Sequence, residues 1–353
     1  MTRTGATAHT ITTPRLGRRA WLFGVASLLC LGDAHPVAAQ PLVFRISTEN
    51  TPTHFQTLVV QRFADTLAGK TRGKLAVEFH HSAQLFRDQD VIRALSDGKV
   101  DMAVPGNWQL DRYDPYVSAL MLPVLMGRSA AEHHRFRDGR AGQLISQHLA
   151  ESINVVVPGR WIDLGFAHVF TTGKAIAGYQ DMAGMRTRIA GGAAIAAQVS
   201  AVGAVPTVVP WPDLPNVLQQ GRIDGLLTTH ETVASARLWD MGVQHATENM
   251  SYFAQYIPVV SRSCWERLSP DLRLAVQQSW ESVVDDARAQ SSSAQQEARR
   301  TLQAHGVRVM DLSPQALQAW RQELMKGQAA LARSLGIPDT LLAEAERQFG
   351  RAP

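Results

Sequence analysis

The sequence predicts two α/β lobes with a cleft between them, mostly parallel sheets flanked by helices, and one long helix that can brace both lobes. Three observations carry this. A strand–helix–strand rhythm opens near Leu42 and starts again near residue 164. A run free of proline and glycine stretches from Asp271 to His305. The chain has 353 residues, enough for roughly two domains of about 150 residues each.

The first lobe begins with Leu42, Phe44 and Ile46 alternating with Val43, Arg45 and Ser47, the period of a strand. Asn50-Thr51-Pro52-Thr53 carries helix-start chemistry. Phe55, Leu58, Val59, Phe63 and Leu67 then recur at helical spacing, up to a stop flanked by Gly69 and Gly73. Residues 74–80 form a second strand, 88–96 a short helix closed by Gly98, and 100–104 a third strand. Ligands in such sheets sit beyond the carboxyl ends of the strands, so the loops at 47–54, 80–88 and 105–113 are the places to look.

The second lobe repeats the pattern. Residues 185–189 read as a strand, 193–202 as a small-residue helix after Gly191-Gly192, 204–209 as a strand, 212–220 as a helix and 223–228 as a strand. Beyond it, Ser269, Pro270 and Asp271 make a helix start. About 35 residues at 1.5 Å rise then span roughly 50 Å. Leu272, Val276, Val283, Ala287, Ala294, Ala298 and Leu302 mark its apolar stripe, and Gly306 its end. Boundaries follow: 1–39 a leader; 40–163 lobe I, to which 254–290 returns; 164–253 lobe II with part of 291–353, whose helices pack across the lobes.

The leader reads as an export signal. Arg15, Arg18 and Arg19 precede an apolar run from Ala20 to Leu31, too short to span a bilayer. Val37-Ala38-Ala39 suits cleavage before Gln40. Arg18-Arg19 fits a twin-arginine signal as well as a general secretory one. These 39 residues hold four arginines and one acid, and without them the formal charge falls from +4 to +1. A body so balanced has no electrostatic reason to seek nucleic acid. Two cysteines, Cys30 and Cys264, exclude a disulfide-built fold and a multi-cysteine metal site. After cleavage Cys264 is the sole thiol, expected in the core. The mature protein is expected to be exported and periplasmic.

Enzyme signatures are mostly absent: no Gly-x-Ser-x-Gly, P-loop, Gly-x-Gly-x-x-Gly or His-Glu-x-x-His occurs. His80-His81 and His133-His134 are adjacent pairs, which point apart and do not chelate; partly exposed histidines are expected. Gly191-Gly192 could form an anion-binding amide cluster before a helix. Arg186 and Arg188 lie two apart on a predicted strand. An arginine at a strand end beside a cleft can grip a carboxylate through two parallel hydrogen bonds, while a solvated pair is the plainer reading. Trp211, between Pro210 and Pro212, could wall a pocket or fill a core.

Several segments together resemble the extracytoplasmic solute receptors of tripartite ATP-independent periplasmic (TRAP) transporters. These are Phe63 through Gly73-Lys74-Leu75 and Gln84-Leu85; Leu95 through Gly98 and Asp101; Asp181-Met182-Ala183-Gly184-Met185-Arg186-Thr187-Arg188; and Gly203-Ala204-Val205-Pro206 with Leu218-Gln219-Gln220-Gly221-Arg222-Ile223-Asp224-Gly225. The likeness runs from about Leu42 to beyond Arg300. It implies a periplasmic-binding-protein-like clamshell, acting as a monomer without a cofactor or metal. The clamshell would capture a small carboxylate and hand it to the transporter's membrane subunits.

The resemblance also implies site residues. Arg188 falls on the carboxylate-binding arginine and Arg186 on a peripheral basic position. Trp211 falls on a cavity-lining aromatic. Thr228 stands where many members carry a ligand-binding Asn, and His168 where sialic-acid receptors carry a second arginine. Asn107, Trp108 and the 84–89 loop, with Asp88 and Gln89, would contribute from the first lobe. One fixed cation favours a monocarboxylate, with an apolar or aromatic body against Trp108 and Trp211. A protonated His168 would admit dicarboxylates below about pH 6.5. The rival is an exported hydrolase using His168 with Asp163 or Asp88; another is a receptor that feeds a sensor kinase.

Overall fold

The computed structural model describes residues 41–350. The export signal, its cleavage site and Cys30 lie outside the described residues. Eleven strands occur among them: β1 (Leu42–Ser47), β2 (Leu75–His80), β3 (Met102–Ala103), β4 (Val155–Val156), β5 (Ile162–Thr171), β6 (Arg186–Ile189), β7 (Val205–Val208), β8 (Gly225–Thr228), β9 (His245–Tyr256), β10 (Val259–Ser261) and β11 (Arg308–Asp311). One sheet has the order β2-β1-β3-β10-β4 and the other β11-β9-β5-β8-β6-β7.

Both sheets are mixed, where mostly parallel ones were expected. The helix-linked pairs β1–β2, β1–β3, β6–β7 and β6–β8 are parallel, as crossover connections require. β10 runs antiparallel to β3 and β4, and β5 antiparallel to β8 and β9. The opposed strands are those of the chain as it leaves the first sheet and comes back to it. β5 and β9 are long and pair from Ile162↔Tyr256 to Thr171↔His245. Residues 162–166 and 253–256 are the facing ends of this ladder.

Local chemistry explains most elements. Phe44 and Ile46 of β1 are fully buried. The helix Phe55–Thr71 starts at His54, whose Nδ1 accepts the Gln56 N–H at 3.1 Å. Phe55, Val59, Phe63 and Leu67 form its buried face, whereas Leu58 is 52% exposed. The third strand shrinks to Met102–Ala103. Cys264 is fully buried and free.

The long helix spans Pro270–Ala304, 35 residues capped by the Ser269 hydroxyl. Val276, Val283, Ala287, Ala298 and Leu302 are buried along it. Phe63 meets Trp280 edge-on at 5.3 Å, and Trp280 Nε1 donates to the Arg160 carbonyl at 2.7 Å. Further along, Gln295 Nε2 donates to the Leu164 carbonyl of β5 at 2.6 Å, and its Oε1 accepts the Glu231 N–H at 3.0 Å. One rod therefore packs on the helix Phe55–Thr71, which joins β1 to β2 of the first sheet, and on β5 of the second.

Residues 130–152, which show no clear motif in the sequence, form two helices, Ala130–Asp138 and Arg140–Ser152. The first delivers Arg137, whose side chain is 0% exposed, onto Asp163 Oδ1. Arg137 Nη1 also donates to Gln255 Oε1 at 2.9 Å, and His134 Nε2 lies 2.7 Å from Asp163 Oδ2. Asp163 and Gln255 are cross-strand partners of β5 and β9. Burial pushes the Asp163 carboxyl up, but Arg137 and His134 bring it below the ordinary carboxylate value. His133 is a correction. It is buried, stacked on Phe253 at 4.8 Å, and desolvation drops its pKa to about 3.

Candidate binding cleft

Strands β1, β3, β6 and β8 all end at one cavity. Loops beyond their carboxyl ends supply its walls, as α/β topology dictates. Glu49 and Asn50 follow β1, Trp108 and Gln109 follow β3, Arg188 is the last but one residue of β6, and Ala190 follows that strand. Thr228 closes β8, and β9 adds Tyr252, Ala254 and Tyr256.

Arg188 dominates this cavity. It is 2% exposed, and its Nε donates to the Val209 carbonyl at 3.0 Å. Nη1 and Nη2 make no hydrogen bond among the described residues. Burial pulls its pKa down, against the charges of Tyr252 and Glu49. A guanidinium starts so far above neutrality that it stays charged. The backbone bond holds the plane, and the fork is left for a ligand. Arg186 is different: it is exposed and bound to Asp224 through Nε at 3.0 Å and Nη2 at 2.6 Å.

Aromatic rings frame the guanidinium. Trp108 meets Tyr256 at 5.5 Å and Tyr252 at 6.3 Å, both edge-on. Trp211 opens a 3₁₀ turn, Trp211–Asp213, on another wall. Asn50 is satisfied within the protein, its Nδ2 donating to Gln56 Oε1 at 2.7 Å and to the Tyr256 hydroxyl at 2.9 Å.

Of the residues singled out from the sequence, Arg188, Trp211, Thr228, Trp108 and Asp88 line this one cavity. Gln89 lines an adjoining one with Trp108 and Gln109. Asn107 does not reach the cavity. It is fully buried behind it, and its Oδ1 accepts the Gln255 N–H of β9 at 3.3 Å. His168 is also elsewhere. It sits at a register shift between Ala167 and Val169 in the β5–β9 ladder, and such bulges re-aim a side chain. It lines a separate cavity against the long helix, beside His230, Glu248 and Arg299. Burial holds its pKa well below the ordinary value, with His230 and Arg299 adding to the effect. The protonated His168 expected to admit dicarboxylates is therefore not in the cleft.

The acid–base pairs of the hydrolase reading do not form. His168 Nδ1 accepts the Met250 N–H at 3.2 Å, and Asp163 is taken by Arg137 and His134. His168, His230 and Glu248 do bring three donor atoms within 4.8 Å of one another. However, Arg299 Nε already holds Glu248 Oε1 at 2.9 Å, so a cation there would meet a resident guanidinium. The amide cluster after Gly191-Gly192 is occupied too, since Asp111 Oδ2 accepts the Ala193 N–H at 2.7 Å. Burial raises the Asp111 pKa to about 6 despite these bonds.

Glu49, Tyr252 and Tyr256 had no sequence motif of their own. Tyr252, Ala254 and Tyr256 recur with period two, and all three line the cleft, while Phe253 lines the other cavity. That alternation is the signal that could have found them.

No helix among the described residues is long and apolar enough to cross a membrane. The chain is similar to the C4-dicarboxylate-binding periplasmic protein DctP of Rhodobacter capsulatus, 23% identical over 316 residues, covering 88% of this chain and 92% of that one. Among solved structures, a TRAP periplasmic solute binding protein from Sulfurospirillum deleyianum with bound succinate shares the fold. Its TM-score is 0.78 and its identity 21%, covering 86% of this chain and 98% of that one. The sugar acid binding protein of Advenella mimigardefordensis in complex with galactonate gives a TM-score of 0.80 at 16% identity, covering 88% and 99%. The model of bacterial extracellular solute-binding protein family 7 (DctP) matches residues 46–332, most of the chain, and the protein belongs to that family.

Proposed function

We propose that this protein captures an organic acid in the periplasm and delivers it, as a monomer, to the membrane subunits of a TRAP transporter. The observation that carries this reading is the buried Arg188 fork, desolvated and, among the described residues, without a hydrogen-bonding partner at its two terminal nitrogens. A charged group so placed costs free energy until an anion pairs with it. The solutes named for the related proteins, succinate and galactonate, are both carboxylates. Trp108 and Trp211 would bound the rest of the solute.

The two sheets are taken as the cores of two lobes, with 40–163 and the returning 254–290 in one, and 164–253 in the other with part of 291–353. Both are braced by Pro270–Ala304. The hinge would be the ladder of β5 and β9, where Gly165 sits at φ +123° and Met250 at φ +43°. Residues at a hinge absorb the dihedral change while the lobes move as rigid bodies. Small-angle scattering should show a smaller radius of gyration when an organic acid saturates the protein, at an unchanged one-chain mass. An unchanged radius at saturation would contradict capture by closure.

A further inference from the structure

The charge in the cleft is lopsided. Beside its one guanidinium stand two acids, Glu49 and Asp88, at 6% and 8% exposure, lining the same cavity as Arg188. They come from different segments, Glu49 from the loop after β1 and Asp88 from the first turn of the helix Asp88–Ser96. Glu49 is fixed in place. Its Oε2 accepts the Asp88 N–H at 2.6 Å, and the Trp211 backbone also hydrogen-bonds its carboxylate. The Asp88 carboxyl makes no hydrogen bond among the described residues.

Burial raises the pKa of both acids. For Glu49 the two backbone bonds and the charges of Arg188 and Arg87 oppose this; for Asp88 the neighbouring Glu49 adds to it. Two carboxyls that share a dry site do not both ionise readily. The cavity thus offers free donors at Arg188 and, beside the hydrogen-bonded Glu49, an Asp88 carboxyl with no hydrogen bond among the described residues.

We infer that the solute is a monocarboxylate with a hydrogen-bond-donating group, a hydroxyl or an ammonium, set apart from its carboxylate, and that Glu49 and Asp88 select it. This rests on the carboxylate reading of Arg188. A plain fatty acid leaves the buried Asp88 carboxyl unpaired, which costs the desolvation penalty of that group. A dicarboxylate brings another negative group against Glu49 and Asp88. A site built to hydrogen-bond a substrate group rejects the analogue that lacks it far more strongly than an apolar pocket rejects a missing methylene.

Calorimetry on the purified protein tests this with butyrate, succinate, 4-hydroxybutyrate, 4-aminobutyrate and gluconate. At least one of the last three should bind about 100-fold more tightly than butyrate and succinate. The amino and hydroxy probes separate the two kinds of donor. Glu49→Gln or Asp88→Asn should cut that preference about tenfold or more; two variants guard against one that does not fold. Tightest binding of succinate or butyrate, or an unchanged preference in both folded variants, overturns the inference. Arg188→Ala distinguishes the two levels. If it abolishes binding of every acid but no donor preference exists, only this inference fails. If it leaves binding unchanged, or if no probe binds the parent protein, the carboxylate reading fails with it.

Discussion

Replacing Arg188 with Ala is expected to weaken organic-acid binding by about 2–5 kcal/mol while leaving the protein folded. The loss is large because the guanidinium is buried at the end of β6 and holds its fork toward the cleft. A charge-assisted pair in a dry site is worth far more than one in water. The fold should survive, since among the described residues the side-chain hydrogen bond lost is Nε to the Val209 carbonyl. Removing a desolvated cation can even raise the ligand-free Tm. Arg186→Ala should cost little, because that residue is exposed and occupied by Asp224; exposed ion pairs contribute at most about 1 kcal/mol. Calorimetry on both variants checks this, and equal small losses would remove Arg188 from the site.

The second large effect is on stability. Asp163→Ala should destabilise the protein by about 3–5 kcal/mol, because it strands a buried charge. Arg137 has no exposed side-chain surface, and without Asp163 its remaining polar contact in the core is Gln255 Oε1 at 2.9 Å. The exposed Asp138 lies 3.7 Å from its Nε and compensates weakly. This pair ties β5 to β9 at their facing ends, so the loss should also loosen the ladder assigned as the hinge. Thermal unfolding reads the effect as a drop in Tm on the order of 10 °C. A double variant, Asp163→Leu with Arg137→Met, should recover most of it, since a packed apolar pair avoids the desolvation cost. A wild-type Tm for Asp163→Ala would contradict this account of the pair.

Much of this was legible in the sequence, for specific reasons. The strands at 42–47 and 75–80 announce themselves by alternation, and 186–189 lies between Gly184 and Gly191-Gly192. The long helix is legible because 271–305 lacks any breaker and begins with Ser269-Pro270-Asp271. Arg188, Trp108, Trp211, Thr228 and Asp88 reach one cavity because all lie near strand ends or in the loops beyond them. Strand direction was less legible. A run such as 245–256 carries no mark of running against its neighbours, and only tertiary pairing decides it. His168 was misplaced because a bulge shifts register without a sequence signal. Asn107 was misplaced because a short helical turn, Asn107–Leu110, buries its side chain against β9. Glu49 lay within a flagged loop, but a single acid in a loop gives no pattern to read.

The central claim is that a buried guanidinium in a cleft waits for a carboxylate. The direct measurement is a thermal-shift comparison of carboxylic acids with their neutral amides on the purified protein. A ligand that binds only the folded state adds RT ln(1 + [L]/Kd), about 2.7 kcal/mol at a hundredfold excess over Kd. The account predicts that at least one acid raises the Tm, that its amide does not, and that Arg188→Ala abolishes the shift. A solute whose amide stabilises the protein as much as its acid, with the shift intact in Arg188→Ala, would contradict it.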